Sequence, residues 1–287
     1  FLLISSLFEM FYTGVILRPF KQLTRKIAQT DDPEKFETTP LTTGTSDFKV
    51  LDQTLNALME KIKLQIKNEK QITQNISHEL LTPVSTLRLI LESLLQDETL
   101  PEQEAAKVEE ALHTLHRLKT LVNALLKIAR IESSQYLKNE KVNLGGLLQQ
   151  VVEELEHLAM DKHIDIQLIN LENLWLKEGN SSLLFSMFYN VLNNALKNTP
   201  GYGRVIIEGM FISANRAICI GDNGPGISAE MQPHLFTRFK KQNPADHSGS
   251  GLGLAITKAI ADFHQVDIKV DSEEGRGSRF IFVLPPL

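Results

Sequence analysis

The chain has 287 residues, more than one compact domain usually holds, so two or three units are expected. Lys and Arg total 30 against 35 Asp and Glu, a net charge of -5, and this leaves no basic surplus to neutralise a nucleic-acid backbone. Cys219 is the only cysteine, which excludes intrachain disulfides and multi-cysteine zinc sites.

The sequence opens at Phe1 rather than Met, and Phe1 to Leu17 is mostly apolar apart from Glu9. It reads as the end of a membrane span that begins upstream. At about 1.5 Å per residue this stretch falls short of a hydrocarbon core of about 30 Å. Arg18, Lys21, Arg25 and Lys26 come next with no acid among them, as on the cytoplasmic side of a spanning helix. Everything from about residue 18 onward is therefore expected in the cytoplasm. Pro19 can open a helix, and Pro33, Pro40 and Gly44 interrupt the next stretch, so residues 18 to about 64 read as helix, extended connector, helix.

From Ile62 the apolar positions Ile66, Ile72, Ile76, Leu80, Val84, Leu87, Leu91 and Leu94 recur at mostly helical intervals. A second set begins after Pro101 and runs through Val108, Leu112, Leu115, Val122, Leu126 and Ala129. Between them Gln96 to Pro101 has room only for a turn, so two antiparallel helices are expected. A lone hairpin leaves an apolar stripe uncovered, and pairing of two copies into a four-helix bundle would cover it.

Past about Glu140 the pattern becomes mixed. Helices are expected over Leu144 to Met160, Ser182 to Lys197 and Ala255 to His264. Strands are expected at Ile164 to Ile169, Val205 to Ile212, Ala217 to Ile220, Val266 to Val270 and Phe280 to Leu284, with a hairpin signal at Glu274-Gly275-Arg276-Gly277.

Four constellations carry chemistry. On the first long helix lies Ser77-His78-Glu79-Leu80-Leu81-Thr82-Pro83. His78 stands outside the apolar series, so its imidazole should face solvent, where an unprotonated ring nitrogen can attack a phosphoryl group. Glu79 could orient the ring and accept its proton; Thr82, one turn on, could place a water against a bound phosphoryl group. Pro83 has no N–H to bond the Glu79 carbonyl, which should bend the helix there.

In Asn190 to Lys197, the amides of Asn190 and Asn194 and the ammonium of Lys197 share a helix face, while Leu184, Met187, Val191 and Ala195 lie roughly 130° away. An Asn oxygen suits Mg²⁺ that carries phosphates, and Lys197 can offset their charge. The strand ending at Ile220 runs into Gly221-Asp222-Asn223-Gly224-Pro225-Gly226, where Asp222 can accept from an exocyclic amino group as adenine has. Finally Gly249-Ser250-Gly251-Leu252-Gly253 precedes a helix and offers backbone N–H groups to a polyphosphate.

Ser-His-Glu-Leu-x-Thr-Pro closely resembles the phosphoacceptor box of the sensor histidine kinases of two-component signalling, with Leu81 where that family often has Arg. The Asn190 run is similar to that family's N box, the Asp222 segment to its G1 box and Gly249 to Gly253 to its G2 box. Phe236-Thr237-Arg238-Phe239 resembles the F box, and Pro244 to Ser248 with Lys240 and Lys241 the ATP lid. Gly277-Ser278-x-Phe280 is similar to the family's Gly-Thr-x-Phe, with Ser278 for the Thr near adenine. Ser186, one turn before Asn190, stands where relatives often carry a longer polar residue.

The resemblance implies a membrane-remnant segment at 1–17, a HAMP-like relay at 18–66, a dimerisation and histidine-phosphotransfer hairpin at 67–135, and an ATP-binding domain at 136–287. The implied fold is an all-α dimeric hairpin followed by an α/β sandwich with helices on one face of a mixed sheet, the type shared with Hsp90, MutL and gyrase ATPases. It makes His78 the phosphoacceptor, Glu79 its base, Thr82 a phosphatase residue and Asn190 the Mg²⁺ ligand. Asn194, Lys197, Asp222, Gly224, Gly226, Gly249, Gly251, Leu252, Gly253 and Ser278 would bind ATP. A response-regulator receiver domain is the implied partner, beside a second copy of the chain, at a bacterial inner membrane. The rival readings are an ATPase of the same fold and a non-catalytic dimeric relay.

Overall fold

The computed structural model describes residue 12, residues 18–28, residue 36, and residues 46–97, 100–133, 135–240 and 251–286. The chain divides into two compact units, Phe1–Ile72 and Thr73–Leu287. The expected span from Phe1 to Leu17, apart from Tyr12, lies outside the described residues. Among the described residues no helix is long and apolar enough to cross a membrane.

In the first unit, helix α1 covers Arg18–Ala28 and a second helix, α2, begins at Ser46. Leu23, Phe36 and Asp52 are buried, and the Lys63 ammonium donates to the Phe36 carbonyl at 2.8 Å. The helix-connector-helix pattern is thus present at both ends. The sequence pattern, however, suggests one helix ending near residue 64 and another starting at Ile62, whereas α2 runs unbroken over Ser46–Leu95. No Gly or Pro stands between Ser46 and His78, so nothing in the backbone chemistry stops the helix. Pro83 lies inside it without ending it.

Helix α3, Glu102–Glu132, completes the hairpin. Pro101 caps its start in extended conformation, and Glu102 and Glu104 place negative charge at its positive end. Leu80, Leu87, Ile90 and Leu94 of α2 and Leu118 of α3 are exposed. A groove of about 510 Å³ between the two helices is floored by Leu87, Ile90, Leu91, Ala111, Leu115 and Leu118. The uncovered apolar stripe expected from the sequence is present.

Strand β1, Glu140–Asn143, opens the α/β part and leads into helix α4, Leu144–Lys162. Strands β2 (Asp165–Ile169) and β3 (Trp175–Gly179) precede helix α5, Ser181–Asn198. Strands β4 (Arg204–Ile212) and β5 (Asn215–Asp222) form a hairpin. Helix α6, Gly253–Phe263, is followed by β6, Asp267–Glu273, and β7, Gly277–Val283. The main sheet has the order β2-β4-β5-β7-β6, with β2 and β4 parallel and the rest antiparallel. It is the mixed sheet expected. The pair β1 and β3 forms a small separate sheet that the sequence pattern does not announce.

The core lies where α4, α5 and α6 meet the sheet. Leu148, Val151 and Leu155 of α4, Met187, Phe188 and Leu192 of α5, and Ile260 of α6 are fully buried against Val205, Ile207, Ile218, Ile220, Phe280 and Phe282. Phe188 meets Phe282 edge to face at 5.3 Å between centroids. Each such side chain contributes about 1.5–3 kcal/mol by leaving water. The last turns of α3 belong to this core as well, through Ala124, Ile128 and Ile131.

His264 fixes the start of α5. Its Nε2 accepts the backbone N–H of Asn180 at 3.0 Å, and its Nδ1 lies 2.8 Å from the Ile260 carbonyl, which sets the proton on Nδ1. Asn180 in turn caps α5, accepting from the Leu183 N–H at 3.0 Å. Burial holds the His264 pKa below its ordinary 6.5; the Ile260 carbonyl opposes that shift and the Lys138 charge adds to it. The unfolded chain therefore takes up a proton that the fold refuses. The contribution of His264 is expected to be present above pH 6.5 and to fade as pH falls through that value, so the thermal midpoint should drop between pH 7 and pH 5.5 and drop less in His264→Gln.

Candidate functional site

The site forms where one face of α5, the end of β5 and the start of α6 converge. Leu183, Leu184, Met187, Phe188, Val191, Leu192, Ala195 and Leu196 bury the inner face of α5. That leaves Asn190 and Asn194 half-buried and Lys197 exposed on the outer face, as the spacing required. Gly253 lies against Asn190: a Cβ added there would sit 3.7 Å from the Asn190 carboxamide. The Asn190 Nδ2 is buried and has no hydrogen-bond partner among the described residues. A buried amide nitrogen left unpaired is costly and marks a place where a ligand or its water belongs.

At the other end, Asp222 closes β5 opposite Ser278 of β7. Its Oδ1 accepts the Gly224 N–H at 2.9 Å. Burial raises its carboxyl pKa, while the backbone N–H groups of Gly224 and Ser278 work against that rise. The carboxylate is thus a partly desolvated acceptor with spare lone pairs. Gly224 is required by proximity, since a Cβ would come within 2.8 Å of Asp222 Oδ1 and 2.9 Å of the Asn198 carbonyl. Gly226 has φ +72°, and a Cβ would meet the Glu273 carbonyl at 2.1 Å.

Side chains with no role assigned from the sequence hold this loop in place. Asn223 Oδ1 accepts the Arg204 N–H at 2.7 Å, tying the turn to β4. Ser272 Oγ accepts the Ile227 N–H at 2.9 Å and lies 3.1 Å from Ser278 Oγ. Gln232 Nε2 donates to the Ile227 and Ser272 carbonyls at 3.1 and 2.8 Å. Asn223 sits in a turn-forming Asp-Asn-Gly, a signal that could have been read; nothing local distinguishes Ser272 or Gln232.

At the start of α6, Leu252 is buried and Gly251 has φ +68°. The helix begins without a side-chain cap. The Phe239 N–H donates to the Gly251 carbonyl at 3.0 Å, which ties the Phe236 to Phe239 segment to this turn. Gly249, Lys241 and the stretch Pro244 to Ser248 lie outside the described residues. A cavity of about 690 Å³ adjoins Asp222, but Arg204, Ile206, Glu208, Cys219 and Arg279 line it, and Asn190 and the α6 glycines do not.

The fold thus forms a cluster along α5: Asn190 lies against Gly253, and Asp222 stands with Gly224 and Ser278, where Gly224 lies against Asn198 at the end of the helix. His78, Glu79 and Thr82 are not part of that cluster. They are exposed on α2, and none of the hydrogen bonds that shape the cluster reaches them. Thr82 Oγ1 donates to the His78 carbonyl at 2.7 Å, and Thr86 Oγ1 to the Thr82 carbonyl at 3.1 Å. The His78 ring and the Glu79 carboxylate are not hydrogen-bonded to each other, as adjacent helical positions do not face one another.

Comparison with known proteins identifies two domains in the chain. Residues 68–134 match the His kinase A phosphoacceptor domain, and residues 179–287 match the histidine kinase, DNA gyrase B and HSP90-like ATPase domain. The sensor protein kinase PmrB of Pseudomonas aeruginosa is 31% identical over 283 residues, 94% of this chain and 56% of that protein. The heme sensor protein HssS of Staphylococcus saprophyticus is 30% identical over 280 residues, 97% of this chain and 60% of that protein. Among solved structures, full-length ShkA in complex with AMPPNP aligns with a TM-score of 0.61 and 27% identity, covering 75% of this chain and 45% of ShkA. A phosphoacceptor hairpin joined to an ATPase-type α/β domain defines a protein-histidine kinase architecture. The chain belongs to the sensor histidine kinase family of two-component systems. It spans just over half the length of the curated relatives it matches.

The glycine geometry gives a direct test of the site. Gly226→Ala is expected to destabilise the α/β domain by about 2 kcal/mol or more, because the new methyl meets backbone at a positive φ; urea unfolding of the whole chain measures it.

Proposed function

We propose that this chain is the kinase portion of a sensor histidine kinase that transfers the γ-phosphoryl group of ATP to its own His78 and passes it to an aspartate of a response-regulator receiver domain. The observation that carries this reading is the pairing of a desolvated acceptor, Asp222, with a buried unpartnered donor, Asn190 Nδ2, on a chain whose His78 is solvent-exposed.

The two ends of the site differ in hydrogen-bonding sense, and this orients the nucleotide. Asp222 accepts from the adenine amino group, with Gly224, Gly226 and Ser278 shaping the base pocket. Asn194, Lys197 and the backbone of Gly251, Leu252 and Gly253 would face the phosphates. The residues present fit a magnesium nucleotide: Asn190 offers a neutral carboxamide oxygen once its amide is turned, and among the described residues nothing accepts from its Nδ2. A Mg²⁺ ion bound there supplies charge neutralisation to the phosphates.

At His78 a ring nitrogen lone pair forms the N–P bond as the bond from phosphorus to the β-phosphate oxygen breaks and ADP departs. The proton on the other ring nitrogen passes to Glu79, whose exposed side chain must swing to reach it. Thr82 serves dephosphorylation of the regulator by placing a water that attacks phosphorus as the bond to the aspartate oxygen breaks and inorganic phosphate leaves.

The remaining organisation accords with the same reading. Residues 1–17 end a membrane span, 18–66 relay the signal as a HAMP-like unit, 67–135 dimerise through the uncovered stripe of α2 and α3, and 136–287 hold ATP. The localisation is the inner membrane, with residues from about 18 onward in the cytoplasm.

Incubating the purified chain with γ-labelled ATP and Mg²⁺ is expected to give an acid-labile label that is absent in His78→Gln and reduced at least a hundredfold in Asp222→Ala. A label that persists in His78→Gln would reject the assignment. Thr82→Ala is expected to keep the label and to slow release of phosphate from the phosphorylated regulator.

A further inference from the structure

The part of α3 that packs on the α/β domain carries a cation for which the proposed chemistry has no task. Lys127 reaches from α3 to α5, where its Nζ donates to Ser186 Oγ at 2.8 Å. Among the described residues that neutral hydroxyl is its only partner. The neighbouring cross-contact, Arg238 to Glu132, is by contrast a conventional exposed ion pair at 2.5 Å. Lys127 is half-buried, and loss of solvent lowers its pKa from the ordinary lysine range. A partly desolvated ammonium with only a hydroxyl for company lacks the anion that would compensate it.

Its position says which anion. Ser186 precedes Asn190 by one helical turn and so stands beside it on α5. Asn190 Nδ2 is buried without a partner among the described residues, and the carboxamide lies against Gly253 at the start of α6, which has no side-chain cap among them. The ammonium and the first N–H groups of α6 are donors near the Asn190 carboxamide, and such donors complement the phosphates of a magnesium nucleotide.

We propose that Lys127 is a nucleotide-binding residue lent by the hairpin: its ammonium contacts the terminal phosphates of a nucleotide held at Asn190 while the α/β domain is packed on α3. This rests on the assignment of the ATP site to Asn190, Asp222 and the α6 glycines. It extends that site from one domain to two, because a phosphate contact on α3 couples nucleotide affinity to the docking of the domain. Binding and docking then strengthen each other by the same factor. Ser186 is short enough to leave room for the lysine, which gives a physical role to the departure from the longer polar residue often found there.

The test is calorimetric titration of the whole chain with AMPPNP plus Mg²⁺, and with adenosine, at low salt. Lys127→Met is expected to weaken AMPPNP binding roughly tenfold and leave adenosine binding unchanged, with the difference shrinking as salt is raised. Lys127→Arg should recover most of the AMPPNP affinity. Equal affinity of Lys127→Met and wild type for AMPPNP overturns the proposal and leaves the kinase reading standing. An equal loss for adenosine and AMPPNP also overturns it, because a merely structural lysine would act on both. A wild-type chain that binds no AMPPNP overturns both readings.

Discussion

Everything at the site depends on how α5 is pressed onto the sheet. The helix turns a wide apolar face inward, with Met187, Phe188, Val191 and Leu192 inaccessible to solvent, and Phe188 is locked edge-on against Phe282. A helix packed on so many side chains has one rotational setting, because turning it by a single residue would expose part of that face and bury Asn194. The setting aims Asn190 at Gly253. The N-terminal anchor is equally determined: His264 of the turn after α6 holds Asn180, and Asn180 holds Leu183. Two helices far apart in sequence thus fix each other's polar faces.

The polar groups are distributed so that one end of the cleft accepts and the other donates. At the β5 end the carboxylate of Asp222 is braced by the Gly224 amide, with Asn223 and Ser272 tying the loop to β4 and β6. At the α6 end Asn190 Nδ2 is a donor without a partner among the described residues. Such a gradient selects a ligand with an amino edge on one side and negative charge on the other, and it does so before any particular contact is optimised. The glycines allow the close approaches: Gly224 and Gly226 lie where any side chain would collide with backbone.

Most of the α/β domain is legible in the sequence because its elements obey single periodicities. The α5 pattern and the strands β4 and β5 are recognisable from alternation or helical spacing, and the structure extends them by only a few residues. The small sheet is not legible: Glu140–Asn143 and Trp175–Gly179 are short and largely polar, and their pairing is decided by contacts across the chain. The continuity of α2 is hidden for the opposite reason. Its apolar series steps by six residues from Ile66 to Ile72, which blurs the periodicity there, but such a step alone does not break hydrogen bonds. The motif residues stand out by type and spacing, whereas Ser272, Gln232 and Lys127 act through partners remote in sequence. No local pattern reports them.

The turn of α2 around Pro83 has weakened main-chain cohesion. Proline cannot donate to the Glu79 carbonyl, and the hydroxyls of Thr82 and Thr86 add second donors to the carbonyls of His78 and Thr82. A rod loaded from either end yields at its least cohesive section, and here that section is the one bearing the imidazole. Bending of α2 is therefore easiest in the turn that carries His78, and any tilt there changes the direction of the exposed imidazole relative to the rest of the hairpin.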